Sequence, residues 1–259
     1  MINPVPLLRI LRTYWLSLTV LLALASQPTF SAEVIYTSPV PPGGNPALYA
    51  NFRDDWFQTV QRKFDRFSMK PFDIVFDGDS ITNRWETTGK EFWSKYFEGH
   101  AADFGIEGDR IENVRWRLIK GQLDGINPKL IVLMIGTNNS GRDSAEQIAE
   151  GIKALVSDYR NRCPQAHIVL MGVFPRGANS GDPIRQKVAA INRLIASSAD
   201  GLHVSYLDIG PDLVNSDGSI SKEMMPDFLH PTAIGYEVWT KALLPFVEKY
   251  APAPKNGTR

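Results

Sequence analysis

Cysteine is almost missing from this chain. Cys163 is the only one in 259 residues, so no intramolecular disulfide can form and stability must come from a packed core. Excess charge is missing as well. The 28 basic and 28 acidic residues leave a formal net charge of zero, with no positive field to hold a phosphate backbone, so nucleic acid is not an expected partner. Histidine is sparse: His100, His167, His203 and His230 lack the i, i+4 spacing of a helical zinc site, and no cysteine pair joins them. Neither a protein-held metal nor another cofactor is expected.

A long apolar run is also lacking. The stretch from Tyr14 to Ala25 falls short of the about 20 residues that cross a bilayer. It follows Arg9 and Arg12 and precedes small residues around Ala23, Ala25, Ser31 and Ala32, the pattern of an export signal over residues 1–32. An uncleaved signal anchor is the alternative, because no cleavage site stands out. Loss of residues 1–32 removes two arginines and no acid, leaving a slightly acidic remainder. The expected location is periplasmic or secreted, with no integral span after cleavage, or membrane-anchored if the signal stays.

What is present is ordinary globular material, 43% hydrophobic and 22% charged, sized for one α/β domain. Residues 33–50 read as an extended, Pro/Gly-rich lead-in, with four prolines and two glycines between Thr37 and Pro46. The domain is expected over 51–250, with a polar tail at 251–259 that includes the sequon Asn256-Gly257-Thr258. Trp56, Phe57, Val60, Phe64 and Phe67 recur at helical spacing within Asn51 to Phe67 and predict one apolar helix face.

Beyond it, short apolar runs at Ile74–Phe76, Ala101–Phe104, Leu130–Ile135, Ile168–Val173 and Val204–Leu207 predict buried strands. Amphipathic stretches separate them. Ser144–Arg160 opens on a capping box of Ser144 and Gln147, another helix opens at Pro183, and Ala233–Tyr250 supplies the last. This alternation predicts an α/β fold: a three-layer α/β/α sandwich around a mainly parallel, five-stranded, flavodoxin-like sheet. Ligands of such sheets bind beyond the carboxyl ends of the strands.

Four loops at those ends carry chemistry: Asp77-Gly78-Asp79-Ser80-Ile81-Thr82, Gly105-Ile106-Glu107-Gly108-Asp109-Arg110, Gly136-Thr137-Asn138-Asn139, and Asp227-Phe228-Leu229-His230-Pro231. A serine hydroxyl needs a neighbouring base to attack an ester carbonyl. An imidazole, with an unperturbed pKa of about 6.5, can take that proton and return it to the leaving alcohol. His230 is the candidate base for Ser80, and Asp227 reaches the other ring nitrogen if the segment turns. Each loop also has a plain structural reading. Ser80 could cap a helix, Gly105 and Gly108 could make a turn, Asn138 an Asx-turn, and Asp227 with His230 a surface pair. Trp85, Trp93 and Trp116 read as core residues, with a sugar-binding surface as the lesser alternative. Glu107 and Arg110 read as a solvated or locally paired loop.

In their order, these blocks resemble the SGNH hydrolases, also called GDSL esterases. From Trp56 to about Tyr236 the chain looks most like the catalytic subunits of intracellular platelet-activating-factor acetylhydrolase. The resemblance rests on Phe104-Gly105-Ile106 with Gly108-Asp109, Trp116-Arg117-Leu118, Gly136-Thr137-Asn138-Asn139, Phe174-Pro175-Arg176-Gly177, Ser216-Asp217-Gly218 and Asp227-Phe228-Leu229-His230. It implies a carboxylic ester hydrolase with Ser80, Asp227 and His230 as the triad and an oxyanion hole of the Ser80 and Gly108 N–H groups and the Asn138 amide. It also implies a short acyl group, and export makes acetylated carbohydrate a plausible substrate. Longer-chain lipase, lysophospholipase or thioesterase activity, or a non-catalytic carbohydrate-binding or envelope module, are the competing functions. The acetylhydrolase subunits pair with one another, which leaves a homodimer open here. No Gly-x-Ser-x-Gly elbow surrounds Ser80, against an α/β-hydrolase. Asp77 and Pro231 depart from the family pattern and are expected to alter the shape or polarity of the acyl site.

Overall fold

The computed structural model describes residues 39–252; the expected signal at 1–32 and the sequon lie outside them. Five strands, β1 (Ile74–Gly78), β2 (Ala101–Asp103), β3 (Leu130–Met134), β4 (His167–Met171) and β5 (Val204–Leu207), form one sheet in the order β2-β1-β3-β4-β5. Every pairing is parallel, with Ile74 opposite Leu130 and Ile168 opposite Val204. All residues of β1 to β4 are buried, as strands covered on both faces must be.

Among the described residues seven α-helices surround the sheet: α1 (Phe57–Phe67), α2 (Ser80–Asn83), α3 (Lys90–Tyr96), α4 (Ile111–Ile119), α5 (Ala145–Arg162), α6 (Pro183–Ile195) and α7 (Ala233–Tyr250). On one face Phe76, Val132, Met134, Val169 and Met171 pack with Trp93 of α3 and Trp239 and Leu243 of α7. Trp85 lies in that layer, with ring centroids 4.7 Å from Tyr236 and 4.8 Å from Trp239. Tyr236 also donates to the Ile81 carbonyl at 2.6 Å, which ties α7 to α2 despite a separation of 155 residues. The opposite face carries α4 and α5, where Tyr159 donates to the carboxylate of Asp77 from β1.

Two expectations change. The helix read from Asn51 starts at Phe57, after a 3-10 turn at Asp54–Trp56, and Phe57 is exposed rather than part of the apolar face. The lead-in is not merely extended. Pro46–Leu48 forms a 3-10 turn capped by Asn45, Ala47 is fully buried, and Asn45 donates to Gln147 O of α5 at 2.8 Å.

The strand order places β1 between β2 and β3, so the crossover leaving β1 and the one leaving β3 run to opposite sides. The crevice between them, beyond Gly78 and Met134, is the ligand-binding position of doubly wound sheets.

Candidate active site

Ser80 is the first residue of α2, directly beyond β1, and is buried. It does not cap that helix. The cap is Asp79, whose Oδ1 accepts the Ile81 N–H at 3.0 Å, so the Ser80 hydroxyl is free for another partner. Its Oγ lies 2.9 Å from His230 Nε2, across 150 residues of sequence.

His230 ends a tight loop before α7. Asp227 Oδ1 accepts the N–H groups of Leu229 and His230 at 3.1 and 2.8 Å, and its Oδ2 sits 2.6 Å from His230 Nδ1. Partial burial opposes ionisation of Asp227, but the hydrogen bonds from His230 outweigh it and hold the pKa down to about 2. A carboxylate at Nδ1 keeps a proton there, so Nε2 presents its lone pair to the Ser80 O–H. The turn forces Phe228 to φ 57°, a region L-residues rarely enter. Its backbone is held on both sides, N–H to Met225 O at 3.0 Å and carbonyl to Gly177 N–H at 2.9 Å. Pro231, one of the two family departures, is buried and packs beside Gly235 in the first turn of α7.

The other two loops meet at the same strand ends. Gly105 is packed so closely on the Thr82–Asn83 backbone that a Cβ would collide with the Asn83 nitrogen. Gly108 takes φ +77°, which glycine alone adopts freely, and a Cβ there would sit 2.9 Å from the Arg53 guanidinium. Asn138 Nδ2 donates to Asp109 O at 2.9 Å, joining the glycine loop to the loop after β3. That bond uses one amide hydrogen and leaves one, and the Ser140 N–H goes to Thr137 O at 3.2 Å rather than to the Asn138 side chain, so the alternative Asx-turn is not formed. The N–H groups of Ser80 and Gly108 donate to no other described residue. The structure thus gathers Ser80, Gly108, Asn138, Asp227 and His230 at one end of the sheet.

A profile of the GDSL-like lipase/acylhydrolase family matches residues 76–238. The chain belongs to this family. Its curated relatives include the platelet-activating factor acetylhydrolase IB subunit alpha1 of Homo sapiens, 37% identical over 206 residues that span 78% of this chain and 87% of that protein. The alpha2 subunit of Homo sapiens is 41% identical over 192 residues, 73% of this chain and 82% of that protein. Similar solved structures include a GDSL-like lipase from Bacteroides thetaiotaomicron VPI-5482, with TM-score 0.60, 18% identity and coverage of 74% and 97% of the two chains. Another is a catalytic mutant of an acetylxylan esterase from Geobacillus stearothermophilus, with TM-score 0.53, 18% identity and coverage of 69% and 94%. At such identities these two speak for the fold. Together with the family match, the acetylhydrolase relatives make this GDSL protein a carboxylic ester hydrolase.

One expected role is corrected by the geometry, and the core reading of three tryptophans and the paired reading of Glu107 hold. Asp77 is not an acyl-site residue but the centre of a buried network, accepting from Arg117 Nη2 at 2.8 Å and from Gln122 and Tyr159. Arg117 also binds Asp109 through Nε at 3.0 Å and Nη2 at 2.9 Å. Burial opposes its charge, and Asp77 and Asp109 restore it. Trp85, Trp93 and Trp116 are buried in the core and offer no sugar-binding surface. Glu107 is locally paired, with Arg84 Nε at 3.2 Å.

Sequence reasoning missed the cap made by Asp79 and the contacts of two arginines. Arg110 Nε donates to Asn138 O at 3.2 Å, and Arg176 Nη1 to Thr137 O at 3.1 Å. Arg176 follows the end of β4, and a search of every strand end for cations would have found it. A groove of about 590 Å³ between α6 and the loops after β4 and β5, lined by Val173, Tyr206 and Asp208 among others, contains none of Ser80, Asp227 and His230. Among the described residues no helix is long and apolar enough to cross a membrane, and no cluster of three metal-binding side chains occurs.

Proposed function

We propose that this GDSL hydrolase is an exported serine esterase that removes short acyl groups, acetyl above all, through an acyl-enzyme on Ser80. The observation that carries the reading is the unbroken line from Ser80 Oγ to His230 Nε2 at 2.9 Å and from His230 Nδ1 to Asp227 Oδ2 at 2.6 Å.

In this mechanism Ser80 Oγ attacks the ester carbonyl while His230 Nε2 takes its proton. Asp227, ionised across the working range, stabilises the imidazolium that forms. The negative charge on the carbonyl oxygen is met by the N–H groups of Ser80 and Gly108 and the second amide hydrogen of Asn138. Collapse of the tetrahedral species breaks the bond to the alcohol, which leaves with the proton from His230. Water then repeats the sequence on the acyl-serine, giving up its proton to His230 and releasing the carboxylic acid and free Ser80.

Export rests on the basic and apolar pattern of residues 1–32. The short acyl group rests on likeness to proteins named as acetylhydrolases and to an acetylxylan esterase. Acetylated carbohydrate then follows as the substrate an exported enzyme of this kind would meet. A series of chromogenic esters of increasing acyl length, assayed on the purified protein, tests the reading. The expected kcat/KM peaks at acetyl and falls with chain length. A maximum on long chains would make it a lipase or thioesterase instead.

A further inference from the structure

Two cations converge on one strand-end loop. Arg110, in the glycine loop after β2, donates from Nε to the carbonyl of Asn138 at 3.2 Å. Arg176, in the loop after β4, donates from Nη1 to the carbonyl of Thr137 at 3.1 Å and to Thr137 Oγ1 at 3.3 Å. The two guanidinium groups therefore sit on consecutive carbonyls of the segment whose amide serves the oxyanion. Each has five N–H donors and spends one nitrogen on the loop.

Neither forms an ion pair among the described residues, in contrast to the arginines beside them. Arg53 is matched by Asp55 at 2.9 Å and Arg84 by Glu107 at 3.2 Å. The acids near the two free cations form no ion pair with them. Asp143, near Arg110, is held by Arg142 at 2.6 Å. Asp79, near Arg176, has its pKa pushed up to about 7 by burial. Both arginines are only half-buried, so their remaining donors reach solvent.

Their placement is fixed from behind. Arg185 donates to Arg176 O at 3.2 Å and to Gly177 O at 2.6 Å, and the Gly177 N–H donates to Phe228 O at 2.9 Å. Arg176 thus stands where the oxyanion loop adjoins the Asp227 to His230 loop. A pair of held, uncompensated guanidinium groups is the usual receptor for a planar or tetrahedral oxyanion.

We propose that Arg110 and Arg176 form an anion-recognition subsite that selects esters whose alcohol portion carries a carboxylate or a phosphate. The inference rests on the esterase reading above. Because an acetyl group bears no charge, the anion belongs to the alcohol.

The test measures acetate release by the full-length enzyme from three matched acetyl esters: a methyl glucoside, the corresponding methyl glucuronide and a glucose phosphate. A simple aryl acetate serves as reference. The wild type is expected to favour at least one anionic ester over the neutral one by about tenfold or more in kcat/KM. The advantage should reside in KM and shrink with added salt. Arg110→Gln and Arg176→Gln should each lower that ratio toward one, and Arg176→Lys should keep part of it. The glucuronide and phosphate arms distinguish the two sources of the anion. Turnover of aryl acetate with no anionic preference would overturn the subsite and leave the esterase standing. So would Gln variants that slow all esters equally, since residues that merely brace the loop would act in that way. Failure of the wild type on aryl acetate would overturn both.

Discussion

Asp79 is fully buried, with one carboxylate oxygen on the Ile81 N–H and the other without a partner among the described residues. Burial raises its pKa to about 7 against the bond from Ile81. The folded protein then holds a proton that the unfolded chain releases above its ordinary value near 4. The contribution to stability is therefore full at low pH and is lost as pH rises through about 7. Asp79→Asn keeps the capping oxygen and removes the charge, so its melting temperature should gain more over the wild type at about pH 8 than at about pH 5. Equal shifts at both would contradict the buried acid. Asn138 makes a different kind of prediction. Asn138→Ala should lower kcat by on the order of 10²–10³ with little change in KM, because the lost amide acts on charge that appears only in the transition state. Steady-state kinetics on a chromogenic acetate decides this, and a loss confined to KM would count against the role.

Among the elements, α5 and the strands were the most legible. The strands announced themselves as short apolar runs because a parallel sheet covered on both faces leaves few polar positions, with Asp77 and Asp103 as buried exceptions at strand ends. For α5, Ser144 and Gln147 exchange side-chain to backbone bonds at 3.2 and 3.0 Å as the capping box implied. Ser144→Ala should cost about 1 kcal/mol in denaturant unfolding without affecting catalysis. An unchanged midpoint would show the cap to be idle. Three helices were not legible by periodicity. α2 is a single turn, and α3 is short. In α4, Glu112, Asn113 and Arg117 are buried beside Ile111, Val114 and Trp116, so polar and apolar residues do not separate into faces. The start of α1 was misplaced because Trp56 and Phe57 share helical spacing with the true face, although Phe57 points to solvent.

At the scale of the whole molecule, the chain's motif order located the chemistry better than it explained the support beneath it. Strand ends named Ser80, Asn138 and His230, because doubly wound sheets deliver their loops to one edge. Nothing local joins Asp77 to Arg117, 40 positions on, or Arg176 to Thr137, 39 positions back. Such pairs are written only in the tertiary fold, and an aspartate at the end of an apolar run gives no hint of which cation it meets. The Arg117 network links β1, α4 and α5 to Asp109, whose carbonyl orients Asn138. Hence the core and the loop that carries Asn138 form one continuous structure.

The central claim is that Ser80 is made nucleophilic by His230, and covalent labelling with a fluorophosphonate tests it most directly. Peptide mapping of the treated protein should place a single adduct on Ser80, in step with loss of esterase activity, and His230→Ala should slow its formation by several orders of magnitude. An adduct on another residue, or full inhibition with Ser80 unmodified, would contradict the account.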